Sequence, residues 1–160
     1  MQLSPPKEPG EALVISGVVY KADRKTPAPG TRIYVYQTDR EGWYSRPVSD
    51  NRNPRIKGWL TVAQDGRYEI QTIRPGSYPN SRNPQHIHIH LAAEGIPEHV
   101  IDEYQFADDP LLDSSRKAIA DREGRWSHVV KLAKGADGVW RGQRDLVLDP
   151  ALAARNPVQR

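Results

Sequence analysis

The sequence alternates histidine and isoleucine from His86 to His90. Side chains at i and i+2 of a β-strand point to the same face of a sheet, so His86 and His88 share one face while Ile87 points into a core. Imidazoles on a covered face need polar partners. A metal ion is one such partner, and it would explain why the rings come as a pair. The alternation therefore predicts a strand that presents metal ligands.

The rest of the chain also favours strands and turns. Its apolar residues include many Val, Ile, Tyr and Trp, and the 14 Pro and 12 Gly indicate frequent turns. Short β-rich segments separated by turn residues are typical of sandwiches and barrels. We predict an all-β, single-domain β-sandwich with long loops and at most one or two short helices. The predicted strands are 13–20, 31–37, 59–62, 67–73, 86–92, 98–106, 126–132 and 139–148, and the predicted helix is 114–120.

The length of 160 residues suits one domain with a moderate core. The polar, Pro-rich segment 1–10 is expected to form a flexible N-terminal arm. Residues 11–150 are expected to form the sandwich domain, and 151–160 a loose C-terminal tail. The Arg-rich segment 45–57 is predicted to be a long loop, and loops of that length often carry function.

Composition excludes several kinds of site and partner. The chain has no cysteine, so a metal site must use His, carboxylate, Tyr or backbone oxygen. The net charge is only +3 and the arginines are spread along the chain, so we expect no nucleic-acid partner. The sequence contains no apolar run long enough to predict a membrane span. The first ten residues are unlike a signal peptide, which favours the bacterial cytoplasm; export after removal of a signal, and homo-oligomerisation, stay open.

Two tyrosines complete a coherent donor set with the histidine pair. Tyr78 lies shortly before His86, and Tyr44 lies near a glycine at the predicted exit of a strand, where a loop can bend inward. Phenolate is a hard, anionic donor, and two of them favour Fe(III) over Fe(II), whereas imidazole serves many metals. The choice of iron therefore rests on Tyr44 and Tyr78.

An ordered set of motifs now points to a family. Between residues 13 and 112 the chain carries, in order, Val-Ile-Ser-Gly-Val-Val, Thr-Pro-Ala-Pro-Gly-Thr-Arg-Ile-Tyr-Val-Tyr-Gln-Thr-Asp, Gly-Trp-Tyr-Ser, Asp-Gly-Arg-Tyr-Glu-Ile and Pro-Gln-His-Ile-His. With these motifs the chain resembles the intradiol ring-cleavage dioxygenases, which include catechol 1,2-dioxygenase and protocatechuate 3,4-dioxygenase. It resembles a compact, divergent member of that family.

The resemblance implies a β-sandwich that holds Fe(III) on Tyr44, Tyr78, His86 and His88. The implied reaction inserts both atoms of O2 between the two hydroxylated carbons of a catechol-type substrate and gives a cis,cis-muconate-type diacid. Tyr78, on the Pro-Gly-Ser-Tyr-Pro loop, is expected to leave the metal and take a proton from the substrate.

Two positions depart from the family pattern and concern the substrate. Asn83 stands three residues before the first histidine, where the family usually has arginine, and Arg82 precedes it. Asparagine donates a hydrogen bond without charge, which weakens electrostatic stabilisation. Glu103 stands where well-known members have glutamine, and its carboxylate would repel a catecholate dianion. The predicted substrate-binding residues are Tyr36, Trp43, Arg82, Asn83 and Glu103, with Arg82, Asn83, Tyr44 and Tyr78 also predicted to be catalytic.

Two other functions remain open from the residues alone. Segment 15–78 also resembles carboxypeptidase-regulatory and prealbumin-like domains, which would make the chain a non-catalytic binding module. A copper or zinc enzyme could use His86, His88 and His90. We expect His90 to lie behind the ligands, and His99 and His128 to face solvent.

Overall fold

The computed structural model describes residues 1–46 and 53–158. Within them the chain forms ten strands and two α-helices, with a single 3-10 turn at Gly124–Trp126. In chain order these are β1 (Ala12–Lys21), β2 (Arg32–Gln37), β3 (Ile56–Thr61), β4 (Arg67–Ile73), β5 (His86–Ala93), β6 (Ile96–Phe106), α1 (Ser114–Glu123), β7 (Val129–Val130), β8 (Ala133–Lys134), β9 (Trp140–Gln143), β10 (Leu146–Leu148) and α2 (Pro150–Arg155).

The strands form two five-stranded sheets, which confirms the predicted all-β sandwich. One sheet has the order β10-β1-β9-β8, with β4 paired to β1, and the other has the order β3-β2-β5-β6-β7. Strand β5 lies at the centre of the second sheet, antiparallel to β2 on one side and to β6 on the other. Its backbone is therefore held by hydrogen bonds along both edges.

Alternation along β2 and β5 decides what faces the core. Ile33 and Val35 of β2 and Ile87 and Ile89 of β5 are at most 1% exposed and pack between the sheets. Burying each of these side chains contributes about 1.5 to 3 kcal/mol. Because the strand period is two, the same packing holds the histidines of β5 on the opposite face of the sheet.

After residue 125 the strands of the structure are shorter and more numerous than the predicted ones. Segment 126–132 contains only β7, and segment 139–148 divides into β9 and β10, both parallel to β1. Arg144 and Asp145 separate these two strands: the Arg144 amide donates to the Ser16 carbonyl at 3.0 Å, and the Asp145 carboxylate accepts from the Val18 amide at 2.9 Å. A side chain takes the place of a backbone partner there.

The described residues near both ends of the chain contact the sandwich, while the predicted division into arm, domain and tail stays a prediction. The Leu3 amide donates to the Gln71 carbonyl at 2.7 Å, and Leu3 is buried. At the other end α2 is capped by Asp149, and the Val158 amide donates to the Glu98 carbonyl at 3.1 Å. Both ends thus occupy strand edges that sequence pattern does not reveal.

Three further predictions concern the exposure of His99, the loop 45–57 and membrane spans. His99 is fully buried, so the prediction that it faces solvent is wrong; it pairs with Leu91 and shares that residue's core-facing side. The predicted loop 45–57 is described only in part, since 47–52 lie outside the described residues and β3 begins at Ile56. Neither helix of the described chain is long and apolar enough to cross a membrane.

Two loops that carry the predicted phenols are joined backbone to backbone. The Gly76 amide donates to the Asp39 carbonyl at 2.8 Å, and the Asp39 carboxylate accepts from the Trp43 amide at 3.0 Å. Gly42 has φ +86, and a Cβ on it would lie 2.0 Å from the carbonyl oxygen of Ser77. Glycine at position 42 therefore permits the close approach that places Tyr44 beside Tyr78.

This contact gives a testable prediction for Gly42→Ala. The control is Gly95→Ala, because Gly95 also has positive φ but has no atom within 4 Å of its Cβ position. We expect the control to lower the free energy of unfolding by about 1 kcal/mol and Gly42→Ala to lower it by about 3 kcal/mol or more. Urea unfolding of both variants measures the difference, and equal losses would contradict the proposed close contact.

Candidate metal centre

Four polar atoms from three segments meet on the outer face of β5. The Tyr44 hydroxyl lies 2.7 Å from Nε2 of His88, and the Tyr78 hydroxyl lies 2.8 Å from Nε2 of His86. The two hydroxyls also hydrogen-bond to each other. The two imidazole rings are edge to face, with centroids 4.7 Å apart. The structure thus brings together the four residues predicted as ligands.

The hydrogen bonds run in one direction through this cluster. Nδ1–H of His86 donates to the Pro84 carbonyl at 2.8 Å, so its Nε2 carries a lone pair that accepts from the Tyr78 hydroxyl. Tyr78 in turn accepts from the Tyr44 hydroxyl, and Tyr44 accepts from Nε2–H of His88. Three protons therefore lie between the four donor atoms. Each of these atoms offers a lone pair to a cation once the protons have moved away.

Burial keeps His88 neutral. Desolvation, together with smaller effects of the neighbouring His86 and His90, lowers the pKa of His88 to about 3. A neutral imidazole is the form that binds metals. At neutral pH His88 therefore needs only a shift of its proton from Nε2 to Nδ1 to become a ligand.

Burial also holds both phenols in their neutral form. It raises the pKa of Tyr44 far above the usual value, and the hydrogen bond to Tyr78 raises it further. It raises the pKa of Tyr78 as well. A phenolate would be stable here only with a cation beside it, because a buried charge needs a partner. The donor set therefore fits a metal ion that displaces the phenol protons.

Glu103 approaches the cluster from the other side of His88. Its Oε2 lies 3.7 Å from Nδ1 of His88, the ring nitrogen that points away from the phenols, and its Oε1 accepts from Gln105 at 2.9 Å. His86, His88 and Glu103 form a group that could hold a metal ion. A carboxylate at Nδ1 also favours the His88 tautomer that frees Nε2, an arrangement common behind metal-binding histidines.

The other predicted site residues lie at different distances from the donors. Tyr36 stacks on His88, with centroids 4.4 Å apart and planes 14° apart. Trp43 is half-buried and has the Arg46 guanidinium 6.0 Å from its ring centroid. Arg82 and Asn83 are exposed on the loop before β5, and among the described residues no side-chain contact joins them to the four donors. Their predicted roles stay predictions.

Three supporting groups were not predicted from the sequence. The Pro84 carbonyl and Gln105 act on His86 and Glu103, and Glu98 lies 2.9 Å from Nδ1 of His90. His90 is not in the group of described residues that could hold a metal ion, which comprises His86, His88 and Glu103. Sequence could not have located Gln105, because a register shift in the pairing of β5 with β6 decides which residues of β6 face His88.

Away from the four donors, a cavity of about 620 Å³ lies on the sheet formed around β1. Its charged lining includes Arg125 and Arg141, which pair with Asp145 and Asp137 at 2.9 and 2.6 Å. Since these charges neutralise one another, the cavity offers no reactive group comparable to the four donors. We therefore place the functional site on β5.

The raised phenol pKa values predict how the metal-free protein responds to alkali. Burial raises the pKa of Tyr36 to about 12 and of Tyr104 to about 12, and it raises those of Tyr44 and Tyr68 further. Because a raised pKa keeps a phenol protonated to higher pH, we expect most of the seven tyrosines to stay neutral at the ordinary tyrosine pKa of about 10.

Absorbance of tyrosinate in the ultraviolet, followed during alkaline titration of folded and urea-unfolded protein, measures this difference. Ionisation of most tyrosines near their ordinary pKa in the folded protein would show that the donors are not buried as described.

Comparison with known proteins places this arrangement in a family. A family model described as "Dioxygenase" matches residues 1–150. The chain is 31% identical over 113 residues to the protocatechuate 3,4-dioxygenase beta chain of Burkholderia cepacia, covering 64% of this chain and 48% of that protein. It is 30% identical over 126 residues to chlorocatechol 1,2-dioxygenase of Rhodococcus opacus, covering 67% and 48%. The chain thus spans about half the length of these curated relatives.

Solved structures agree in fold. The dioxygenase domain of a dioxygenase and carbohydrate-binding fusion protein from Streptomyces sp. SirexAA-E superposes with a TM-score of 0.70 at 25% identity, covering 92% of this chain and 86% of that one. Catechol 1,2-dioxygenase from Acinetobacter sp. ADP1 has a TM-score of 0.73 at 21% identity, covering 99% and 60%. The second likeness, at its low identity, concerns the fold alone.

Proposed function

Because this chain belongs to the intradiol ring-cleavage dioxygenase family, we propose that it cleaves the ring of a catechol-type substrate with O2, using non-haem Fe(III), to a cis,cis-muconate-type diacid. The observation that carries the proposal is the convergence of two phenol oxygens and two imidazole nitrogens within hydrogen-bond distance on one face of β5. Related proteins named for action on protocatechuate and chlorocatechol support the substrate class.

Tyr44, Tyr78, His86 and His88 would hold the iron. Two phenolates select the ferric over the ferrous state, because their negative charge favours the higher oxidation state. When bound, ferric ion supplies Lewis-acid activation of the catechol for its reaction with O2. Loading the site displaces the protons of Tyr44 and Tyr78, so we infer that iron affinity rises with pH.

Tyr78 is the residue to which we assign proton transfer. Both phenols lie on loops, but Tyr44 is buried and Tyr78 is only half-buried, so Tyr78 is the one more able to change position. Burial raises the pKa of the Tyr78 phenol, which makes the corresponding phenolate a stronger base toward a catechol proton. Tyr36 stacks on His88 and restrains the plane of its imidazole while Tyr78 takes the proton.

The charges around the site suit substrates other than small catecholates. Glu103 adds a negative charge beside His88, and the loop bearing Arg82 and Asn83 is exposed. Asn83 supplies a hydrogen bond where the family pattern supplies a positive charge, and we assign Arg82 the remaining electrostatic role at this loop.

The alternatives from the sequence explain less of the geometry. A non-catalytic prealbumin-like module has no use for two buried phenols hydrogen-bonded to two imidazoles. A copper or zinc site on three histidines would need His90, but among the described residues the group that could hold a metal ion comprises His86, His88 and Glu103 without His90. We therefore carry neither forward as a second candidate.

Colour and turnover test the assignment of Tyr78. We expect the protein loaded with Fe(III) to be burgundy, because tyrosinate bound to ferric ion gives a charge-transfer band in the visible. Tyr78→Phe should weaken or blue-shift that band and slow turnover by about 100-fold or more, since it removes a ligand and a proton acceptor. Tyr20→Phe is the control, because Tyr20 packs against Trp126 away from the donors.

Oxygen uptake with a panel of catechols, and the mass of each product, tests the reaction itself. Incorporation of both oxygen atoms into a ring-opened diacid is the expected result. A colourless iron-loaded protein, or an unchanged spectrum in Tyr78→Phe, would remove Tyr78 from the ligands; absence of oxygen uptake with every catechol would overturn the proposed reaction.

The charge of Glu103 gives a separate prediction. Glu103→Gln keeps an amide oxygen that accepts from Gln105 but removes the negative charge, so we expect KM for unsubstituted catechol to fall by about threefold to tenfold. Glu94→Gln, an exposed acid in the turn between β5 and β6, is the matched control. Iron content is measured in both variants because Glu103 also faces His88. An unchanged KM at equal iron content would show that Glu103 does not repel the substrate.

A further inference from the structure

We propose that Tyr34, Tyr36 and Trp59 form an aromatic shelf that binds a second aromatic ring of the substrate. This inference rests on the proposed function, because it extends the site in which a catechol would bind. The substrate class it defines is a catechol that carries another aryl group on a short linker. Such a substrate would place its dihydroxylated ring at the four donors and its second ring on the shelf.

The shelf lies on the same face of the sheet as the metal ligands. Tyr36 pairs with His88 across β2 and β5, and Tyr34 pairs with His90 on one side and with Trp59 on the other. Residues paired across antiparallel strands point to the same face. The ligand His88 and all three shelf residues therefore border one open surface.

The rings follow one another at stacking distance. Tyr36 lies 4.4 Å from His88, Tyr34 lies 5.6 Å from Tyr36, and Trp59 lies 4.8 Å from Tyr34, all between ring centroids. With strands about 4.8 Å apart and a rise of about 3.4 Å per residue, the Cα atoms of His88 and Trp59 are about 12 Å apart. Two aromatic rings joined by a linker of one to three atoms span that distance.

The far end of the shelf is open to solvent. Trp59 is 48% exposed, although a tryptophan on a sheet normally buries more of its surface. Beside it opens a cavity of about 360 Å³, lined by Arg32, Trp59, the turn between β5 and β6 and the start of β6 to Glu98, and this volume is within the size range of small-molecule sites. The Arg32 guanidinium lies 5.8 Å from the Trp59 ring centroid. An aryl group entering there would contact the exposed part of Trp59.

The electrostatics of the site favour this class of substrate over small catechols. Glu103 opposes a compact dianion, and the loop with Asn83 offers no positive charge at the family's usual position. Affinity must then come from contacts away from the two hydroxyl groups, and binding energy from remote parts of a substrate can serve catalysis. A row of aromatic rings that begins beside His88, half-buried at Tyr34 and Tyr36 and exposed at Trp59, is the surface suited to provide it.

The competing explanation is that the shelf only packs the sheet. Tyr36 has a clear structural role against His88, so it is a poor probe of substrate binding. Trp59 contacts neither the donors nor the core, and among the described large apolar side chains it is one of two that are exposed. Replacing Trp59 therefore tests the shelf without altering the centre.

The experiment compares binding of 4-(2-phenylethyl)catechol and 4-methylcatechol to the iron-loaded protein without oxygen, by calorimetry. We expect the phenylethyl compound to bind at least about tenfold more tightly to the wild type. Trp59→Ala should reduce that preference by about threefold to tenfold, the effect of one aromatic contact, and leave affinity for 4-methylcatechol unchanged. Trp59→Phe should restore most of it.

Trp126→Ala serves as the matched control, because Trp126 packs on Tyr20 beyond the opposite edge of the sheet, away from β3. The shelf is overturned if the wild type shows no preference for the phenylethyl compound, or if Trp59→Ala and Trp126→Ala behave alike. Failure of oxygen uptake with both compounds would instead overturn the proposed reaction, while the binding ratio would still decide whether the shelf exists.

Discussion

The structure depends on the register of β5 between β2 and β6. Side chains on a strand alternate between faces, so the pairing that buries Ile87 and Ile89 in the core also commits His86 and His88 to the outer face. A slip of one residue would exchange imidazoles for isoleucines. The apolar core thereby fixes the position of two polar rings that contribute nothing to it, and the neighbouring strand supplies Tyr36 to hold one of them.

The phenols are placed by a different device, the contact between two loops. Gly42 and Gly76 let backbone approach backbone, and Asp39 satisfies amides in both loops. Tyr44 and Tyr78 emerge from that junction facing the histidines. Tyr44 is buried in this junction, whereas Tyr78, to which the proton transfer is assigned in our proposal, is only half-buried. The sheet thus positions the two imidazoles and the loop junction positions the two phenols.

Sequence predicted those parts of the fold that have a local period, and it named the four residues whose polar atoms the structure brings together. The alternation of β5 located its strand, and the two tyrosines followed from their type and from the family motifs. It did not predict the burial of His99, the contacts of Leu3 with Gln71, or the division between β9 and β10. Each depends on pairing between segments far apart in sequence. The position of Gln105 near the site was not predicted for the same reason, because a bulge in β6 is visible only once the strands are paired.

The four donors also connect distant parts of the chain. Tyr44 and His88 are 44 residues apart in sequence yet their side chains touch. An ion held by both would act as a crosslink that the unfolded chain cannot form, and a ligand that binds only the folded state stabilises it by mass action. Ion binding at the centre and unfolding of the chain are then linked equilibria. If the centre binds iron as proposed, removal of iron would lower the free energy of unfolding as well as the activity.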